Sequence, residues 1–230
     1  KKGLDQFLPF VITIIAILAS ILFPVFTSAK ASAKKIQSIS SLKQINMASL
    51  MYSTDNDGIL MRDHIDSGMK TVYWWGSWDG ISLKPEESFL YPYTKNKGIN
   101  NDSVMPDSFR NALGMTGYGY NYAYLSPTIY DSNWNETLVS VSDTQSSSPA
   151  ETISFATSAR INNWAYSPWK LEGSALIDPP SYQFPGVHAR HVGNKAVVSW
   201  LDGHVTTMPV SVRSQNFGYS FNPSWYTKSR

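Results

Sequence analysis

The chain has 230 residues and a mass of 25.7 kDa, enough for one ordinary domain with an appendage or for one large domain. Its 19 Lys and Arg against 17 Asp and Glu give a net charge of +2, which argues against a general nucleic-acid binder, and the absence of cysteine excludes a disulfide framework, a thiolate zinc site and a cysteine nucleophile. Eight Trp and 13 Tyr with only 16% charged residues exclude a disordered chain and fit a folded, polar but weakly charged protein of the kind common outside the cytoplasm.

The first element is set by the run Phe7 to Phe26, FLPFVITIIAILASILFPVF, which carries no charge. As a helix, 20 residues at about 1.5 Å each span about 30 Å, the thickness of a bilayer's hydrocarbon core. Charge is divided unevenly along the chain. Residues 1–53 hold six Lys and one acid, +5, and residues 54–230 hold 13 basic and 16 acidic residues, −3. Three readings compete for the run. A secretory signal has a small-x-small cleavage site, which Ala29-Lys30-Ala31 supplies; the others are a simple single-pass anchor and an anchor that doubles as an assembly helix. The lack of Met at position 1 fits a leader removed ahead of Lys1 or a chain that simply starts there.

The adjoining stretch, residues 27–53, favours the assembly helix. It contains no Gly and no Pro. At 100° per residue, Ile36, Ile39, Leu42, Ile45, Met47, Leu50 and Met51 fill a little over half the circumference, with Gln37, Ser40, Ser41 and Gln44 opposite. The helix is therefore predicted to continue to about Ser53, for roughly 50 residues and about 75 Å. Pro24 predicts a kink or a melted turn, while Pro9 is tolerated if the regular helix starts close to it. The second half needs the rest of the chain as partner; the first half needs lipid or other copies of itself.

The head, residues 54–230, opens with Asp55-Asn56-Asp57-Gly58, expected to be a Gly-terminated turn. A calcium loop fragment is the functional alternative at Asp55 and Asp57, weakened by the missing bidentate glutamate. The stretch 72–80, VYWWGSWDG, places Trp74, Trp75 and Trp78 in a subunit interface or the core in preference to a stacking platform for sugars or bases. The 146–148 Ser run and Tyr118-Gly119-Tyr120-Asn121-Tyr122 read as loops. Segments 153–157, 196–201 and 204–210 read as strands, and residues 187–210 as an antiparallel meander turning at Gly193-Asn194 and Asp202-Gly203. That meander carries His188, His191, Asp202 and His204, candidate ligands for zinc or another metal, though a hairpin turn is the simpler account of Asp202-Gly203. No nucleophile elbow and no phosphate-binding glycine motif is present. Asn101-Asp102-Ser103 and Asn135-Glu136-Thr137 match the glycosylation acceptor pattern.

The order Val11 to Phe26, then the amphipathic helix with Ser41-Leu42-Lys43-Gln44-Ile45, Tyr52 to Gly58, Leu90-Tyr91-Pro92-Tyr93, Tyr118-Gly119-Tyr120-Asn121, Pro149-Ala150-Glu151-Thr152-Ile153 and Arg190-His191 through Trp200-Leu201-Asp202-Gly203-His204-Val205 resembles type IV pilins and the pseudopilins of type II secretion, more narrowly the secretion-protein-G-like proteins with a large C-terminal head. The resemblance implies an α+β fold. A kinked N-terminal helix, domain 1–53, packs on a head, domain 54–230, with an antiparallel β-sheet. It also implies a mature chain starting with Phe and carrying a Glu early in the apolar run. Aligned on Pro24, Phe7 stands where that Glu belongs. The nearest carboxylate is Asp5, which either serves a shifted form of the contact to a neighbour's amine or is an N-terminal helix-dipole acid.

The function expected from this is structural and non-enzymatic, with no cofactor beyond a calcium candidate and no nucleic-acid partner. The chain would be a subunit of an extracellular helical filament, waiting in the cytoplasmic membrane and then polymerising through Asp5, Phe7, Phe10, Ile14, Ile17, Ile21 and Pro24 with the help of pilus or secretion machinery. A minor pseudopilin of a type II secretion system is one alternative. A membrane-anchored carbohydrate-binding or enzymatic module, using the Trp cluster and the histidines, is another.

Overall fold

A computed structural model describes residues 4–109, 116–162, 170–179, 186–212 and 219–220. Helix α1, Leu4–Asp55, is 52 residues long and unbroken through Pro9 and Pro24. No turn is melted at Pro24, although its missing N–H leaves the Ser20 carbonyl without its usual intrahelical donor. The helix runs two residues past the expected end at Ser53 and closes by donation from the Gly58 amide to the Ser53 carbonyl (2.9 Å). Asp57 and Gly58 both take positive φ, 55° and 76°, so the acid as well as the glycine sits in the left-handed region.

The head then adds strands β1 His64–Asp66, β2 Thr71–Tyr73, β3 Gly76–Trp78 and β4 Leu83–Lys84, helix α2 Tyr91–Thr94, strand β5 Tyr118–Tyr120, helix α3 Tyr122–Leu125, and strands β6 Thr128–Tyr130, β7 Glu136–Leu138, β8 Ile153–Thr157, β9 Arg160–Asn162, β10 Lys170–Glu172, β11 Lys195–Trp200 and β12 Val205–Pro209. Strands β1 to β4 form an antiparallel meander. The principal sheet has the order β12-β11-β8-β5 and is antiparallel throughout. Hairpins β6–β7 and β9–β10 stand apart from it. This is the α+β architecture expected, a long N-terminal helix on an antiparallel head.

Three strands of the principal sheet lie where β-rich composition put them. The fourth corrects the sequence reading: Tyr118-Gly119-Tyr120 is strand β5, wholly buried, and not a loop. Its glycine marks a close backbone approach, since a Cβ there would lie 2.8 Å from the Leu176 carbonyl carbon and 2.9 Å from Ser158 Cβ. The meander over 187–210 is real only from Lys195 onward. Residues 187–191 make isolated bridges, Val187 to Ser158 and His191 to Lys195.

Strand β11 separates two cores by alternation. Val197 faces α1 with Leu42, Ile45, Trp74, Tyr118, Tyr120 and Phe155. Ala196, Val198 and Trp200 face the other way with Ile153, Ile177 and Val187. A register shift between Ser199 and Trp200 breaks the alternation on β8, so that Ser154 and Phe155 both turn toward the helix.

Candidate assembly helix and its anchorage

Among the described residues none covers the arm of α1, residues 7–26. Phe7, Phe10, Ile14, Ile17 and Ile21 are 71%, 66%, 43%, 56% and 63% exposed, and Pro24 is exposed with them. Asp5 belongs to the helix by its backbone, and its side chain lies outside the described residues. Fourteen large apolar side chains between Phe7 and Phe26 lie open. At about 1.5 kcal/mol or more each, covering them is worth roughly 20 kcal/mol. The arm's hydroxyls are spent internally. Thr13 donates to the Pro9 carbonyl (2.7 Å), Ser20 to Ile17 (2.7 Å) and Thr27 to Phe23 (2.9 Å). Such a surface suits lipid or a dry bundle of similar helices. Length and composition qualify this helix as a membrane span.

The other half of α1 is built into the head, by a face the apolar pattern did not single out. At 100° per residue, Ser38, Leu42, Ile45, Asn46, Ser49 and Ser53 share an arc of about 100°, and all six are buried. Ile36, Met47 and Met51 fall on the opposite side and are 63%, 46% and 50% exposed. The expectation that the whole apolar stripe faces the head is therefore corrected. Small polar residues hold the inner face, where Ser38, Asn46 and Ser53 have fixed partners. Ser38 Oγ donates to Asp102 Oδ1 (2.7 Å) and Ser53 Oγ to Asp143 Oδ2 (3.1 Å). Asn46 Nδ2 donates to the Trp200 carbonyl (2.7 Å), and Asn46 Oδ1 accepts from Ser154 Oγ (2.8 Å), itself 2.9 Å from Ser199 Oγ. The β8 irregularity is what brings Ser154 to Asn46.

Asp102, fully buried, ties the helix to the last strands. Its Oδ2 lies 3.0 Å from Arg190 Nε. Arg190 Nη2 donates to the carbonyls of Gly117 (2.6 Å) and Ser158 (2.8 Å), and burial lowers the guanidinium's pKa against the pull of Asp102. Lys34 Nζ reaches the Ser103 carbonyl (3.0 Å) from one turn further back. In a buried ion pair of this kind desolvation offsets much of the attraction.

This cluster divides the histidine group seen in the sequence. His191 turns to Asp102, its Nε2 3.8 Å from Oδ2, and burial holds its imidazole below the usual pKa. His204 and Asp202 pair with each other at 2.6 Å on the exposed β11–β12 turn, where the His204 ring stacks on Trp200. His188 packs edge-on to Phe109, and burial, helped by Arg190, pushes its pKa down to about 4. Asp55 accepts from the Tyr93 hydroxyl (2.9 Å). Among the described residues no three His, Cys, Asp or Glu side chains gather as a metal shell requires. His191 and the pair Asp202–His204 thus stand in separate places, and Asp55 has its own partner in Tyr93.

The tryptophans are sorted by burial. Trp74 is fully buried, donates Nε1–H to the Ala175 carbonyl (2.8 Å) and meets Phe155 edge-on at 5.3 Å. Trp75 stacks on Tyr73 at 4.3 Å and is 6% exposed. Both belong to the core, so neither offers a contact surface to a neighbour. Trp78 is partly exposed on β3. Sequence reasoning missed Ser38, Asn46, Asp102, Ser154 and Ser199. The signal for the helical pair was the arc they share with Leu42 and Ile45; nothing local marks the other three. No protein-family model, curated protein or solved structure matches the chain.

Proposed function

We propose that this chain is the structural subunit of an extracellular, type IV pilus-like filament, held in the cytoplasmic membrane by its N-terminal helix before assembly. The observation that carries the reading is the uncovered apolar arm continuous with a helix half locked into the head. Such an arm loses little on leaving lipid for a bundle of its own copies, since tails and neighbouring helices are similarly apolar. The hydrogen bonds from Ser38, Asn46 and Ser53 keep the arm from swinging independently, so the heads inherit the symmetry of the bundle. The partners are copies of the same chain, the membrane and an external assembly motor, because the sequence holds no nucleotide-binding motif.

The test is negative-stain microscopy of material sheared from cells making the full chain, beside Ile17→Asp. Uniform fibres containing the wild-type chain, abolished by a single carboxylate in the arm, are expected. Purified wild-type protein that stays monodisperse in detergent-free buffer would sink the reading.

A further inference from the structure

We propose that Asp63, His64 and Glu136 form a proton-operated clasp that fixes the β6–β7 hairpin to strand β1, closed while both ring nitrogens of His64 carry hydrogen and loosened when one is lost. The clasp does not depend on the filament reading.

His64 Nδ1 lies 3.1 Å from Asp63 Oδ2, and Nε2 lies 2.9 Å from Glu136 Oε1. A carboxylate only accepts hydrogen bonds, and a neutral imidazole has a single N–H. The two contacts together therefore require the imidazolium. With one proton gone, a ring nitrogen turns its lone pair toward a carboxylate oxygen, and that contact becomes repulsive. Asp63 is the fixed end of the clasp. Its side chain is 9% exposed, its amide donates to Ser126 Oγ (2.9 Å), and its Oδ1 accepts from the same hydroxyl (3.4 Å). Glu136, 34% exposed on β7, is the end that can leave.

The charges that face the ring are these two carboxylates. Strand β2 contributes the Tyr73 phenol, whose ring is 6.2 Å away and whose residue is the register partner of His64. Two positions off in either direction, Arg62 turns to Ser140 Oγ (3.4 Å) and Asp66 to the Gly68 amide (3.0 Å). The hydrogen bond to Asp63 raises the ring's pKa above its ordinary value, partial burial works against it, and the charges of Asp63 and Glu136 add to the rise. Stability from the clasp is therefore complete below about pH 6.5 and lost as pH rises through the raised folded pKa.

The hairpin is poorly tied in other ways. It forms no ladder with another described strand. Ile129, Tyr130 and Trp134 are 59%, 54% and 82% exposed, so apolar burial does little to hold it. A cavity of about 230 Å³ beside Asp63, lined also by Tyr122, Pro127, Thr128 and Tyr130, leaves it room to move. Glu136 pairs with Tyr130, the last rung before the loop. An isolated two-stranded hairpin is marginal in water, so releasing Glu136 lets the rungs fray and frees three exposed apolar side chains from one fixed position.

The test is two measurements on the full chain in detergent micelles across about pH 5 to 9: ¹⁵N NMR of the His64 ring, assigned with His64→Gln, and hydrogen exchange of the amides from Thr128 to Leu138, corrected for the intrinsic pH dependence of exchange. At low pH both ring nitrogens should be protonated, with a midpoint above 6.5. Hairpin protection should fall about three- to tenfold through that midpoint, the size of one partly exposed charged contact. His64→Gln should show no such step. Glu136→Gln should lower the midpoint. By reciprocity, protection should change tenfold for each pH unit between the wild-type and Glu136→Gln midpoints. A His64 midpoint at or below 6.5, protection that stays flat through the midpoint, or a step that survives His64→Gln overturns the clasp.

Discussion

Replacing Asn46 by aspartate changes one atom in the joint between helix and head. Asn46 is 1% exposed, and its two polar atoms are both engaged, Nδ2 to the Trp200 carbonyl at 2.7 Å and Oδ1 to Ser154 at 2.8 Å. Aspartate keeps the shape and the acceptor, but at neutral pH it sets a negative oxygen against the Trp200 carbonyl. Protonated, the acid donates to that carbonyl as the amide does. The native state therefore binds a proton that the unfolded chain gives up near pH 3.9. The folded pKa is raised, so the native state holds more protons and stability falls as pH rises through this range. Each pH unit costs about 1.4 kcal/mol, giving a penalty of about 4 kcal/mol at pH 7 if the acid stays neutral. That is a large share of the 5–15 kcal/mol typical of a folded domain. The assay is urea unfolding of the full chain in detergent micelles at pH 7, 6 and 5, read as the difference from wild type. The penalty should shrink to about 1.5 kcal/mol at pH 5. Asn46→Leu should cost about 1–3 kcal/mol with no such pH dependence, because the Gly203 amide still donates to Trp200 and Ser199 still meets Ser154. A difference under 0.5 kcal/mol at pH 7 (roughly the noise of ordinary surface substitutions), or one that ignores pH, would refute the account of this joint.

Gly119→Ala should lower stability by about 1–3 kcal/mol, since the new methyl meets backbone at Leu176 that cannot step aside; an unchanged urea midpoint would show that β5 and the Leu176 segment are not so close. His188 stays neutral in the folded head down to about pH 4, whereas the unfolded chain takes up a proton near pH 6.5. Stability should therefore fall as pH drops from 6.5 to 4 and level off below. His188→Gln should flatten that limb, and an NMR titration of the His188 ring with its midpoint near 6.5 would contradict the burial argument.

The amino-acid order by itself determined the long helix, because 20 uncharged apolar residues followed by 27 without Gly or Pro leave the backbone no better way to satisfy its own polar groups. It also determined strands β8, β11 and β12, whose β-branched and apolar runs are bounded by turn residues. Strand β5 was hidden because Tyr-Gly-Tyr reads as a loop until Leu176 and Ala156 close on the glycine from either side. Tertiary structure also decided which side of α1 faces in. Hydropathy favours Ile36, Met47 and Met51, but Ser38, Asn46 and Ser53 lie on the arc where distant groups supply hydrogen bonds, and a buried polar atom with a good partner costs little. Asp102 and Arg190 stand 88 positions apart in the chain, and His191, packed beside Asp102, is equally remote from it. Such contacts depend on where the sheet places its edges, which no local pattern encodes.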